Sequence, residues 1–285
     1  MESKLNIAEY INCIKADLSE PIESYKIIDC GWTNLVFEVN ERWIFRFVRD
    51  MDNRQVVVER DFLSKFARMS PVKIPSPIFS NRHYIAYRKI AGERFAPEKF
   101  ALLPDFRKTE IIRLLGEFLT CLHNFQFDHR YLFTEPYGGG DFWNDLWLTV
   151  KDNFSVQTRK KAEKYFTSAI EQIKAVPFEK TLIHADLGTN NILVDLDSNR
   201  LNGIIDFGDL CLGDPAADFA GFYRNFGRQF TDELISHYQR PMEANFWLRI
   251  DYESKRKLFF VVYFAQNYGY KKDVPQILQY IEKLF

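Results

Sequence analysis

Thr181-Leu182-Ile183-His184-Ala185-Asp186-Leu187-Gly188-Thr189-Asn190-Asn191-Ile192-Leu193-Val194 is the stretch that decides the fold, together with Ile204-Ile205-Asp206-Phe207-Gly208, which brings Asp206 15 residues after Asn191. Each half has the same form. A short apolar, β-branched run stops at polar residues, as a buried strand does when it delivers side chains into a loop. An H-x-D-x-x-x-x-N spacing alone carries little weight. Joined to Asp-Phe-Gly at the end of a second strand, it is rarely accidental.

Upstream, Leu35–Val39 and Trp43–Val48 alternate around Asn40-Glu41 and predict an antiparallel hairpin. Apolar residues at helical spacing predict a helix from Gln55 to Arg68, which Pro71, Pro75 and Pro77 forbid from continuing. A strand is expected over His83–Ile90, closed by Gly92, and Ile111 to Leu122 form one apolar helical face. Gly138-Gly139-Gly140 reads as a break, Thr158–Ala175 as a mostly charged helix, and Ala216–Phe285 as helices with a wide apolar face. Leu5, Ala8, Ile11 and Ile14 mark an opening helix that packs on the first lobe. The expected architecture is α+β and bilobal. A small antiparallel-sheet lobe, residues 1–91, precedes a mainly helical lobe, residues 92–285, with a hinge about 87–92 and a cleft between them.

Composition narrows the function. The 285 residues are 46% apolar, which excludes disorder, and the net charge of −1 offers no field for nucleic acid or an acidic membrane. The longest apolar run, Leu258 to Ala265, has 8 residues, too few to cross a bilayer, and the amino terminus has no signal-peptide core. A cytoplasmic monomer is expected. Cys13, Cys30, Cys121 and Cys211 lie far apart and read as reduced, mostly core thiols.

The two loops carry residue types that phosphoryl transfer needs together. A nucleoside triphosphate is polyanionic, so its γ-phosphate is approachable only when metal ions and cations neutralise it. Asn191 and Asp206 supply the oxygen ligands that Mg²⁺ prefers. Asp186 is left to orient an acceptor hydroxyl and take its proton.

On these motifs, and on Gly213-Asp214-Pro215-Ala216-Ala217-Asp218-Phe219-Ala220, the chain resembles the protein-kinase-like antibiotic phosphotransferases, most of all the aminoglycoside 2''-phosphotransferases, over residues 24 to 285. The resemblance implies that Asp186 is the catalytic aspartate and that Asn191 and Asp206 hold Mg²⁺. It implies that Arg46, where protein kinases carry Lys, pairs with Glu59 beside the phosphates. The loop Asp29–Asn34, with Gly31 and Asn34, would cover those phosphates. Backbone groups of Arg88 and Ile90 would bind the base, and Tyr87 would gate its pocket, favouring GTP over ATP. Asp218 would hold the catalytic loop by hydrogen bonds, and His123 would be structural.

The acceptor should be small. His184-Ala185-Asp186 lacks the Arg of regulated protein kinases, no Ala-Pro-Glu follows, and 5 residues between Gly208 and Asp214 leave no room for a long activation loop. An aminoglycoside hydroxyl is the leading acceptor. Asp209, Asp232 and Glu233, with Asp141 and Asp145, are candidate partners for its ammonium groups. Against this, residues 221–285 hold 10 Lys/Arg and 7 Asp/Glu, and Arg224 and Arg228 stand where related enzymes cluster acids. A kinase for another small alcohol, such as choline, homoserine, a sugar or a macrolide, is the alternative. A nucleotide-binding protein without transfer activity is the third reading, and the intact Asp186 speaks against it.

Overall fold

The computed structural model describes residues 7–28, 34–48, 54–134, 140–195, 197–268 and 274–285. The hairpin forms where the sequence places it. Asn40 and Glu41 adopt φ of 50° and 57°, turning the chain between β2 (Asn34–Val39) and β3 (Trp43–Val48). Asn tolerates the left-handed region better than most residues. Here its side chain also accepts from the Glu23 and Ser24 amides at 2.8 and 3.2 Å and donates to the Pro21 carbonyl at 2.8 Å.

With β1 (Tyr25–Ile28), β4 (Pro77–Ser80) and β5 (Tyr84–Arg88) these strands build a five-stranded antiparallel sheet in the order β1-β2-β3-β5-β4. Strand alternation gives the sheet two faces. Phe37, Phe45, Phe47 and Tyr84 face α1 (Ile7–Asp17), whose Tyr10 lies 4.8 Å from the Phe47 ring, so the opening helix does pack on this sheet. Arg46, Ile85 and Tyr87 face the other way, towards α2 (Arg54–Phe66) and the larger lobe.

The strand over Pro77–Ser80 is unexpected, because Pro75 and Pro77 read as breakers. It forms at the edge of the sheet and begins with Pro77, where a missing N–H breaks no ladder.

The larger lobe begins with β6 (Glu93–Arg94) and α3 (Pro97–Ala101). It continues through α4 (Asp105–Asn124), α5 (Gly140–Val150) and α6 (Val156–Ala175). Gly138 and Gly139 lie outside the described residues, and Gly140 opens α5, a helix the sequence pattern does not announce. Then come β7 (Thr181–Ile183), β8 (Ile192–Asp195), β9 (Arg200–Ile204) and β10 (Cys211–Gly213), followed by α7 (Ala217–Ser236), α8 (Phe246–Tyr268) and α9 (Val274–Leu284). Strand β8 pairs with β6 and β9, and β7 with β10. Among the described residues no helix is long and apolar enough to cross a membrane. The cysteines correct the expectation of core thiols: Cys211 is buried, Cys121 half-buried and Cys13 exposed on α1, with Cys30 outside the described residues.

One close approach fixes the relation of α7 to the rest. A Cβ at Gly221 would lie 2.3 Å from the Leu187 carbonyl oxygen, so only glycine lets this helix lie against the loop after β7. Gly221→Ala should therefore cost about 1–3 kcal/mol. Urea unfolding would show this as a lower midpoint with an unchanged m-value, and an unchanged midpoint would refute the close-packing account.

Candidate active site

Arg46 sits on β3, 6% exposed, and its guanidinium reaches two carboxylates. Nη1 donates to Glu59 of α2, and Nη2 donates to Asp206 Oδ1 at 2.5 Å. Gly208 makes room for this, since a Cβ there would fall 2.2 Å from Nη2. Burial alone would lower the Arg46 pKa, but the charges of Asp206 and Glu59 outweigh it and hold the guanidinium firmly protonated. Burial lifts the Glu59 carboxyl to about 6 against the pull of Arg46, which leaves it ionised at neutral pH.

Tyr87 is buried on β5 opposite Ile44 and shares the sheet face of Arg46. Burial raises its phenol, with Arg46 opposing and Glu59 and Asp206 adding, so the ring stands beside this charged group. The Arg88 side chain turns to the opposite face and lies 3.8 Å over the Trp43 ring. Ile90 packs on β9, where a Cβ at Gly203 would meet its Cγ2 at 2.9 Å. Asn34 is buried at the start of β2 opposite Val48, and Gly31 lies outside the described residues.

Phe207 anchors the Asp206 loop. It is fully buried, with ring centroids 5.4 Å from Phe62 of α2, 6.3 Å from Phe118 of α4 and 4.7 Å from His184. Asp206 itself is held at φ 67°, a left-handed conformation that costs a non-glycine residue of order 1 kcal/mol or more.

The loop after β7 carries the matching strain at Ala185, with φ 66°. Its N–H donates to Asp218 Oδ1 at 2.9 Å, and its carbonyl accepts from Lys257 Nζ on α8. Asp218, fully buried on α7, also accepts from the His184 N–H at 2.8 Å and pairs with His123 Nε2 at 3.2 Å. His123 in turn meets the Tyr238 hydroxyl at 2.7 Å, which makes it a buried structural link. Asn191 Nδ2 donates to Asp186 Oδ2 at 2.9 Å and to the Asp186 carbonyl at 2.8 Å, which orients that carboxylate.

Asp209 is open to solvent at the cleft mouth yet flanked by protein. The protein packed around it, followed by the like charges of Asp186 and Asp206, raises its carboxyl above the ordinary range, with Arg46 and Lys257 opposing. Three carboxylates thus converge on the cleft. Among the described residues no cluster of three or more His, Cys, Asp or Glu side chains is arranged as a metal site. The donor set still fits a hard cation. Only Oδ1 of Asp206 is bonded to Arg46, and Asn191 turns its nitrogen to Asp186, so each keeps an oxygen for a metal.

The remaining candidates divide. Arg224 lies near enough to Asp186 to feel its charge. Arg228 does not face it: the guanidinium lies 3.4 Å over the Trp247 ring and pairs with Asp232 at 2.9 Å, both side chains more than half exposed. Glu233 lends its carbonyl to Ser236 Oγ at 2.6 Å, and no described contact brings it to Asp186. The sequence reading missed Lys257, which a chain separation of 72 residues from Ala185 hides. It also missed Arg249, fully buried, which pairs with Asp214 at 2.9 Å and so ties the segment before α7 to α8.

The fold matches known proteins. The chain belongs to the phosphotransferase enzyme family, whose family model matches residues 24–251. Its fold is similar to that of the GDP and kanamycin complex of APH(2'')-IIIa, at 21% identity, covering 96% of this chain and 97% of the other with a TM-score of 0.83. It is also similar to macrolide 2'-phosphotransferase MphH from Brachybacterium faecium, at 16% identity, with 97% of each chain covered and a TM-score of 0.69. Among curated proteins, Uncharacterized protein YcbJ of Bacillus subtilis (strain 168) is 34% identical over 64 residues, 22% of this chain and 21% of that protein. The match therefore spans only about a fifth of that relative.

Asp218 gives a pH test. Burial would raise its pKa, but the hydrogen bond and charge of His123, with His184, hold it below the ordinary carboxylate range. Its stabilisation is therefore complete above the unfolded value of about 3.9 and is lost as pH falls through the lower folded value. The unfolding free-energy gap between wild type and Asp218→Asn should be largest at pH 7 and shrink below about pH 4. A gap that does not vary with pH would show that the carboxylate charge contributes nothing.

Proposed function

We propose that the chain transfers the γ-phosphoryl group of GTP or ATP to a hydroxyl of a small molecule. The observation that carries this is the Asp186 carboxylate, oriented by Asn191, on a loop beside that of Asp206, which reaches across to the Arg46–Glu59 pair of the small lobe. Arg46 meets phosphate oxygens as a fork of donors. Arg88 and Ile90 offer backbone groups to the base, residues 87–92 join the two lobes, and Tyr87 crowds the base pocket in favour of GTP. Asn34 and Gly31 belong to the loop over the phosphates. Asn191 and Asp206 would hold Mg²⁺, which when bound neutralises the phosphate charge.

Asp186 positions the acceptor O–H. As the acceptor oxygen bonds to the γ-phosphorus, the bridging P–O bond breaks and its electron pair leaves with the nucleoside diphosphate. The acceptor proton passes to Asp186 and then to water.

The similar structures include a kanamycin complex and a macrolide phosphotransferase, which supports an antibiotic hydroxyl as acceptor, an aminoglycoside first. Asp209 is the acid nearest the chemistry for its ammonium groups. Arg224 beside Asp186 favours the second reading, another small alcohol.

Steady-state diphosphate release with Mg²⁺, GTP or ATP and a panel of aminoglycosides, a macrolide, choline and homoserine tests this. Asp186→Asn should lower kcat by about 10²–10⁴-fold with nucleotide affinity nearly unchanged. Loss of both together would overturn the role given to Asp186. Tyr87→Ala should raise kcat/KM for ATP relative to GTP, and a constant ratio would remove Tyr87 from nucleotide choice.

A further inference from the structure

Two cations converge on the loop that carries Asp186. Helix α7 touches that loop at Gly221, and Arg224 stands three residues further along, on the same helical face. Its only hydrogen bond among the described residues is a long one, Nη1 to the Ser254 carbonyl of α8 at 3.5 Å. Lys257 is three residues beyond Ser254, again on one face, and its Nζ donates to the Ala185 carbonyl next to Asp186. The two helices thus bring a guanidinium within the influence of the Asp186 carboxylate and an ammonium to the neighbouring Ala185 carbonyl, where it also acts on Asp209.

Arg224 is a half-buried group with five N–H donors and one weak acceptor. Enclosure disfavours its charge, and Asp186 with Tyr280 opposes that only in part. Most of the acids of α7, α8 and α9 are already engaged. Asp232 pairs with Arg228, Glu253 with Arg256, and Asp251 with Lys255 and the Tyr165 hydroxyl, while Glu282 binds Ser155 and Thr158. A polycation approaching Asp186 along α7 and α8 would meet like charge first, and the one further acid at this loop, Asp209, already has Lys257 acting on it. A planar anionic group would meet a fork of unused donors with an ammonium beside it.

We propose that the acceptor carries an anionic group, a carboxylate, phosphate or sulfate, which Arg224 and Lys257 hold so that its hydroxyl lies at Asp186. This rests on the phosphotransferase reading above and narrows its acceptor to a small anionic alcohol. Arg224 and Lys257 are then specificity residues, and Arg228 plays no part.

The test is anion binding by calorimetry on the full chain, with Mg²⁺ and a saturating non-hydrolysable triphosphate so that the γ-phosphate position is filled. Sulfate, inorganic phosphate and acetate are the probes, and their order of affinity distinguishes the three anion types. At least one should bind, about tenfold or more weaker in Arg224→Gln, as expected when a charge-assisted pair is lost. Arg224→Lys should recover part of that loss. Lys257→Gln is the second variant and should weaken the same anion should Arg224→Gln fail to fold. No anion binding, or binding indifferent to both substitutions, would overturn the proposal. Binding that vanishes once the triphosphate is present would assign the two cations to the γ-phosphate and overturn it equally. Asp186-dependent diphosphate release on the same preparations separates the two readings. Release without anion binding removes only the anionic acceptor, whereas Arg224-dependent binding with no such release under any acceptor removes the phosphotransferase reading and leaves the anion site standing.

Discussion

One buried guanidinium joins the parts of this molecule that the site needs. Arg46 leaves the central strand of the small sheet and binds a carboxylate from α2 and another from the loop after β9 in the larger lobe. Desolvating Arg46 and Glu59 is expensive, and removing one partner of such a buried pair typically costs about 3–5 kcal/mol, because the other is left buried and unpaired, whereas Asp206, with its side chain 46% exposed, is held at lower cost. The sheet, the helix and the loop therefore cannot be placed independently. Phe207 adds the apolar half of the constraint, since the residue after Asp206 is wedged between Phe62 and Phe118. Any shift of α2 is felt at both the charge and the ring.

The loop bearing Asp186 is secured differently, from beneath. Asp218 receives two successive backbone N–H groups and an imidazole, and Lys257 takes the Ala185 carbonyl on the other side. Charge-assisted bonds of this kind are worth about 1.5–3 kcal/mol each, enough to hold a left-handed alanine against its own strain. The larger lobe thus presents Asp186 on a backbone that has little freedom to adjust, which is the condition for positioning a reacting oxygen.

Much of this was readable in the sequence, and what was not has a common cause. The hairpin at Asn40 and Glu41, the strands ending at Ile183 and Ile204, and the pair Arg46–Glu59 are local patterns or follow from family motifs. The edge strand at Pro77 went unassigned because proline's effect depends on which neighbour is missing. Arg228 and Asp232 stand four residues apart and could have been recognised as each other's partners by helical spacing. Lys257 could not, and neither could the Arg249–Asp214 pair, because the partners lie 72 and 35 residues away and nothing in an amphipathic helix distinguishes a lysine that meets solvent from one that meets a distant carbonyl. The face that α7 and α8 present to the Asp186 loop is the least legible part for the same reason. It is assembled from helices whose relative placement no local pattern encodes.

The left-handed backbone at Asp206 has a consequence for how a lineage bearing this fold can drift. Besides glycine, asparagine is the residue most at ease in that conformation, and it matches aspartate in shape. The replacement the fold would accept most readily is therefore the one that strips Arg46 of its anionic partner across the cleft. At this position the selection that keeps the chain folded and the selection that keeps it charged come apart. A duplicated copy could lose the second while retaining the first, and would persist as a folded protein whose cleft carries one negative charge fewer.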